Sequence, residues 1–158
     1  MSKHYRMKTK DIEEPRYLLS HYRGWVEPHF EQDSLLLTVC LLRTKNPDRL
    51  IKAKFEFLDR TVFGRRPERL SRFPVKVLNE GFPHCHAVIA NVPYSNPRKG
   101  CSSLEDAVRH EFKKTLPRTG DVDVRPIAGG AGIPLLYSLE CQGPVEVLVE
   151  AIHLPSRS

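Results

Sequence analysis

The stretch His84-Cys-His-Ala-Val-Ile-Ala90 constrains this chain more than any other. Its composition suits a β-strand, in which residues i and i+2 point to one face. His84 and His86 are therefore expected side by side, with Cys85, Ala87 and Ile89 on the opposite face. Two imidazoles on one face of a strand can hold a single metal ion. Ile89 and its apolar neighbours root that pair in the core.

The segments around it supply a sheet and its cover. Leu35–Leu42 is a continuous apolar run of strand length, suited to burial on both faces. Asn46-Pro47 then predicts a helix N-cap with proline at the first helical position. Ile51, Phe55, Leu58 and Val62 follow at helical spacing, and Gly64 ends the stripe. Val75 and Val77 alternate in a short strand, and residues 79–83 turn the chain back into the histidine strand. That hairpin brings Glu80 close to the histidine pair, though Glu80 reads first as a residue of the hairpin turn. Ser102-Ser103-Leu104-Glu105 reads as a capping box, opening a helix that carries Leu104, Ala107, Val108 and Phe112. Val122–Ile127 is a strand, 133–140 a short helix, and 145–151 a last alternating strand.

The resulting order predicts an α+β fold: a central, largely antiparallel sheet of about five strands with helices packed on it. Residues 1–30 read as a basic, aromatic N-terminal arm, 31–154 as one domain, and 155–158 as a disordered tail. The arm packs by its aromatics, contacts DNA through Lys3, Arg6, Lys8 and Lys10, or simply frays.

Charge points to the partner. The chain of 158 residues carries a net charge of +6, which favours an anionic partner, nucleic acid first. Arg65, Arg66, Arg69 and Arg72 fall within eight residues, either as phosphate contacts on a loop or as a solvated connection. Arg98, Lys99 and Arg125 are further candidate phosphate contacts, and Trp25 is a candidate for base stacking. No apolar run approaches the roughly 20 residues of a membrane span, so no membrane partner is expected. The N-terminus lacks the apolar region of a secretory signal. Cys40, Cys85, Cys101 and Cys141 are too scattered for a disulfide framework or a CxxC metal site, which suits a reducing cytoplasm. The glycines at 129, 130 and 132 lack the lysine of a nucleotide-binding loop.

Three pieces in this order resemble the HUH endonucleases: rolling-circle replication initiators, conjugative relaxases and single-tyrosine transposases. Leu35–Leu42 is similar to their first apolar strand. Glu80, His84-Cys85-His86 and Pro93 resemble their metal motif. Asp121–Ile127 followed by Ile133-Pro-Leu-Leu-Tyr137 resembles the strand and helix that carry their nucleophile. The resemblance covers residues 25 to 145 and implies a ferredoxin- or RRM-like palm. It implies Mg²⁺ or Mn²⁺ held by His84, His86 and a third ligand, here Glu80. It implies that Tyr137 attacks a phosphate of single-stranded DNA or a DNA hairpin and forms a covalent 5′-phosphotyrosine, in replication or in mobilisation of a mobile element. One departure stands out: the lysine often found three residues after the nucleophile is Glu140 here. An inactive nucleic-acid-binding module of the same fold is the alternative. A small zinc-binding domain using His84, His86 and two of Cys40, Cys85 and Cys141 is a third, weakened because Cys85 points away from the histidines in a regular strand.

Overall fold

Residues 84–90 form one of the two middle strands of a six-stranded antiparallel sheet. The structure, a computed structural model, describes residues 5–6, 26–41, 45–78, 84–115, 122–130 and 145–154. Its strands are β1 (Tyr5–Arg6), β2 (Ser34–Cys40), β3 (Arg72–Val77), β4 (His84–Ala90), β5 (Val122–Ile127) and β6 (Val145–Val147). Helix α1 (Pro47–Phe63) joins β2 to β3, and α2 (Leu104–Thr115) lies between β4 and β5. The spatial order is β1-β6-β3-β4-β2-β5. The inner run β3-β4-β2-β5, with its two helices, is the ferredoxin-like βαββαβ arrangement. The expected α+β fold is therefore present. The strand beyond the expected five comes from the arm: Tyr5 pairs with Val147 and Arg6 with Glu146.

Local chemistry explains the helix ends. The Asn46 side chain accepts a hydrogen bond from the Arg49 N–H at 3.3 Å, and Pro47 occupies the first turn. Gly64 closes α1 at φ 64°, a conformation that disfavours a side chain, and donates its N–H to the Arg60 carbonyl at 2.8 Å. The capping of α2 sits one residue later than the sequence suggests. The Ser103 hydroxyl accepts from the Asp106 N–H, while the Asp106 carboxylate accepts from the N–H and hydroxyl of Ser102. Glu105 is thereby left for Arg109, one turn on, at 2.8 Å.

Both helices cover the same face of the sheet. Ile51, Phe55 and Leu58 of α1 and Leu104, Val108 and Phe112 of α2 pack on Leu35, Leu37, Val39, Cys85, Ala87 and Ile89. Phe55 and Phe112 meet edge to face, with centroids 5.6 Å apart. The second face carries Phe73, Val75, Val77, Val88, Val145 and Val147, covered by Val26 and Phe30. Phe30, an aromatic residue of the arm region, is thus a core residue, 1% exposed.

The last strand is shorter than its alternation suggests. It stops at Val147, and Val149–Ala151 forms a 3-10 turn. That turn delivers the Ala151 carbonyl to the Arg72 guanidinium at 3.0 Å, a contact no alternation pattern reports. No described helix is long and apolar enough to cross a membrane.

Candidate functional site

Strand parity puts His84 and His86 on the face opposite the helices, because Cys85, Ala87 and Ile89 belong to the helix-side core. The two rings lie side by side, centroids 6.1 Å apart and 21° from parallel. Both histidines are half-buried. Pairing with β2 then brings in neighbours from across the sheet. Cys40 stands opposite His84, and Thr38 stands opposite His86. Thr38 lies in turn opposite Asp123 of β5. These five residues share one face, with β4 between the valines of β3 and the polar positions of β2 and β5.

The electrostatics differ sharply between neighbouring positions. Burial, and after it the nearby His84, pushes the His86 pKa down from 6.5 to about 4. His86 is therefore a neutral imidazole at pH 7. Its Nδ1 is hydrogen-bonded to the Thr38 hydroxyl at 3.0 Å, which leaves Nε2 as the ring nitrogen for another partner. Cys85, one residue away on the covered face, is pushed up to about 12 by burial. It is an inert core thiol, so the zinc alternative cannot draw on it without unpacking the helix side. Cys40 is on the histidine side and half-buried.

The donor set suits a divalent ion in part. A neutral imidazole is the ligating form, and a hydrogen bond to the second ring nitrogen is the usual support of a ligating histidine. Among the described residues no group of three or more His, Cys, Asp or Glu is arranged to hold a metal ion. Glu80, the expected third ligand, lies outside the described residues, as do Tyr137, Glu140, Trp25 and Cys141.

The proposed phosphate contacts do not gather at the histidines. Arg65, Arg66 and Arg69 follow α1 on the exposed loop before β3. Arg98 and Lys99 sit in a 3-10 turn beyond the Ala90 end of β4, away from His84. Arg125 alone lies on the histidine face, where it pairs with Asp123 at 2.7 Å. Arg72 is a correction. It is 3% exposed, in β3 rather than on the loop. Its guanidinium bonds both Asp59 oxygens at 2.8 Å and lies over the Phe55 ring. A buried, paired guanidinium is a structural element and cannot reach a phosphate.

Sequence reasoning passed over Thr38 and Asp123 as neighbours of the histidines and brought in Cys40 only through the zinc alternative. Their signal was present, because Thr38 and Cys40 alternate with the buried Leu37 and Val39. Assigning them to the histidine side, however, requires the strand register. No family model, no curated protein and no solved structure matches this chain.

Proposed function

We propose that this protein is a metal-dependent nickase and strand transferase of HUH type, acting on single-stranded DNA or a DNA hairpin through Tyr137. The observation that carries the reading is the His84–His86 pair, side by side on the face of an inner strand opposite α1 and α2 in a ferredoxin-like sheet. His86, held neutral and oriented by Thr38, is one ligand, His84 a second and Glu80 the proposed third. A bound Mg²⁺ or Mn²⁺ would polarise the scissile phosphate. In this reading the Tyr137 hydroxyl attacks phosphorus, its proton leaves, and the P–O3′ bond breaks to free a 3′ hydroxyl. The phosphodiester energy stays in the tyrosine ester, so rejoining needs no nucleotide.

The test is a covalent-adduct assay on a denaturing gel, with mixed single-stranded DNA and Mn²⁺. A shifted band is expected for the wild type and is lost in Tyr137→Phe and in His84→Ala/His86→Ala. Mn²⁺ binding by calorimetry is expected for wild type and Tyr137→Phe but not for the double alanine variant. A Tyr137→Phe variant that still forms the adduct refutes the nucleophile. Salt-sensitive DNA binding with neither Mn²⁺ binding nor adduct, consistent with Glu140, would leave a nucleic-acid-binding module.

A further inference from the structure

The basic surface of this protein lies on the far side of the sheet from the histidine pair. Residues 47–72, spanning α1, the loop after it and the first residue of β3, hold eight Lys and Arg against four Asp and Glu, a surplus of four out of the chain's +6. The helix packs its Ile51–Phe55–Leu58 stripe on the Cys85 face, so its outer side points away from His84 and His86. Two of the eight cations are held inside, Arg72 on Asp59 and Lys54 on Glu111 of α2 at 3.1 Å, which leaves six on the outer side. Asp48 faces Lys76 at 2.6 Å, and Asp59 is buried between Arg72 and the half-exposed Arg69. Glu56 and Glu68 pair loosely with Lys52 and Arg66, each at 3.7 Å. Arg49, Arg60 and Arg65 make no ion pair among the described residues.

Two aromatic rings sit within this surface. The Arg60 guanidinium lies over Phe57 at 5.6 Å from the centroid, and the Arg66 guanidinium over Phe63 at 5.7 Å. Phe57 remains 40% exposed and is the one aromatic among the exposed large hydrophobic residues described. Next to Arg60 lies a surface groove of about 370 Å³ lined by Arg60, Arg66 and Arg69 together with Glu56, Asp59 and Glu68.

We infer that the outer side of α1 and the 64–69 loop form a second nucleic-acid surface, which holds a single strand by its phosphates and stacks an unpaired base on Phe57. Solvent-exposed arginines can bind phosphate, and an exposed ring with arginine packed on it is a stacking platform for any base. One isolated ring without an apolar groove is too little for a membrane or for an ordinary protein interface. The inference takes its partner class from the proposed function but none of its chemistry. With the sheet between the two surfaces, backbone holding and phosphate cleavage are separable, and one strand serving both must pass around a sheet edge.

The experiment is fluorescence anisotropy with a labelled single-stranded 20-mer in EDTA, across a salt series. Neither His84, His86 nor Tyr137 is read by this assay, so its failure is distinct from failure of the adduct assay. Arg60→Ala/Arg65→Ala/Arg66→Ala is expected to flatten the plot of log affinity against log salt by about 2, from roughly 0.7 per phosphate contact on a single strand. Phe57→Ala is expected to weaken binding at least about fivefold at every salt concentration with an unchanged slope. Lys113→Ala/Lys114→Ala, removing exposed charge from α2, is expected to leave the slope alone. A wild-type slope in the triple variant overturns the inference, as does an equal flattening per charge in the α2 control. Displacement by polyglutamate as readily as by unlabelled DNA overturns it in favour of an acidic polypeptide.

Discussion

The two faces of the sheet treat polar groups in opposite ways. On the helix-covered face every described charge is paired: Arg72 with Asp59, Lys76 with Asp48 and Glu146, and Lys54 with Glu111 between the helices. The thiol on that face, Cys85, is fully buried. On the other face His84, His86, Thr38 and Cys40 remain half-buried, and Asp123 is still reached by solvent. Burying a charge is costly unless it is matched, so the covered face carries polarity only in closed ion pairs. Half-burial keeps His86 neutral while leaving it within reach, and the neutral imidazole is the form that can ligate. The polar groups of one face are closed on one another in the core, and those of the other stay within reach of solvent.

The sharpest probe of this contrast is thiol labelling. Cys40 and Cys85 sit on adjacent strands with their side chains on opposite faces. Raising the Cys85 pKa from 9.0 to about 12 cuts its thiolate fraction about a thousandfold, before access is counted. Brief treatment of the native protein with iodoacetamide at pH 8, read by peptide mass spectrometry, is expected to label Cys40 and leave Cys85 unmodified until urea is added. Equal labelling of the two in the native protein would break the comparison.

Stability separates the faces next. Asp59→Ala strands a buried guanidinium and is expected to cost about 3–5 kcal/mol in urea unfolding. Replacing both partners, Asp59→Leu with Arg72→Met, is expected to recover most of that loss, since it is the unmatched charge that is expensive. A double variant no better than the single would show that the Arg72 contacts to Ala151 and Leu70, rather than the charge match, anchor the C-terminal turn.

The smallest effect is in pH. His86 prefers its neutral form in the fold, with a pKa near 4 against the ordinary 6.5. The unfolded chain therefore binds the proton more tightly. The contribution is complete above pH 6.5 and is lost as the pH falls through that value toward 4. In metal-free buffer the melting temperature is expected to fall over that window, and less so in His86→Gln. An identical pH profile in the variant would place His86 in water rather than in the sheet.

Much of this was legible in the residues. The Asn46–Gly64 helix, the parity of the histidine strand and the inward face of Cys85 follow from short-range rules: side-chain alternation, capping chemistry and helical spacing. The shift of the α2 cap from Glu105 to Asp106 is a contest between two carboxylates one residue apart: Asp106 reaches Ser102, and Arg109 bridges both carboxylates, closer to Glu105 at 2.8 Å than to Asp106 at 3.4 Å. The turn that follows the early end of β6 meets Arg72 through the Ala151 carbonyl, seventy-nine residues away.

By itself, the sequence determined that two imidazoles share one side of a strand, that two amphipathic helices need a sheet to cover, and that the chain is basic. These are properties of neighbours along the chain. Tertiary structure alone decided that Thr38 orients His86 and that Cys40 faces His84, because register is set by pairing between distant strands. It alone decided that one of the four clustered arginines is a buried anchor while the other three remain at the surface. Whether a charge meets water or a carboxylate depends on what packs above it, and in this fold the helix lies over Arg72 and stops short of Arg65.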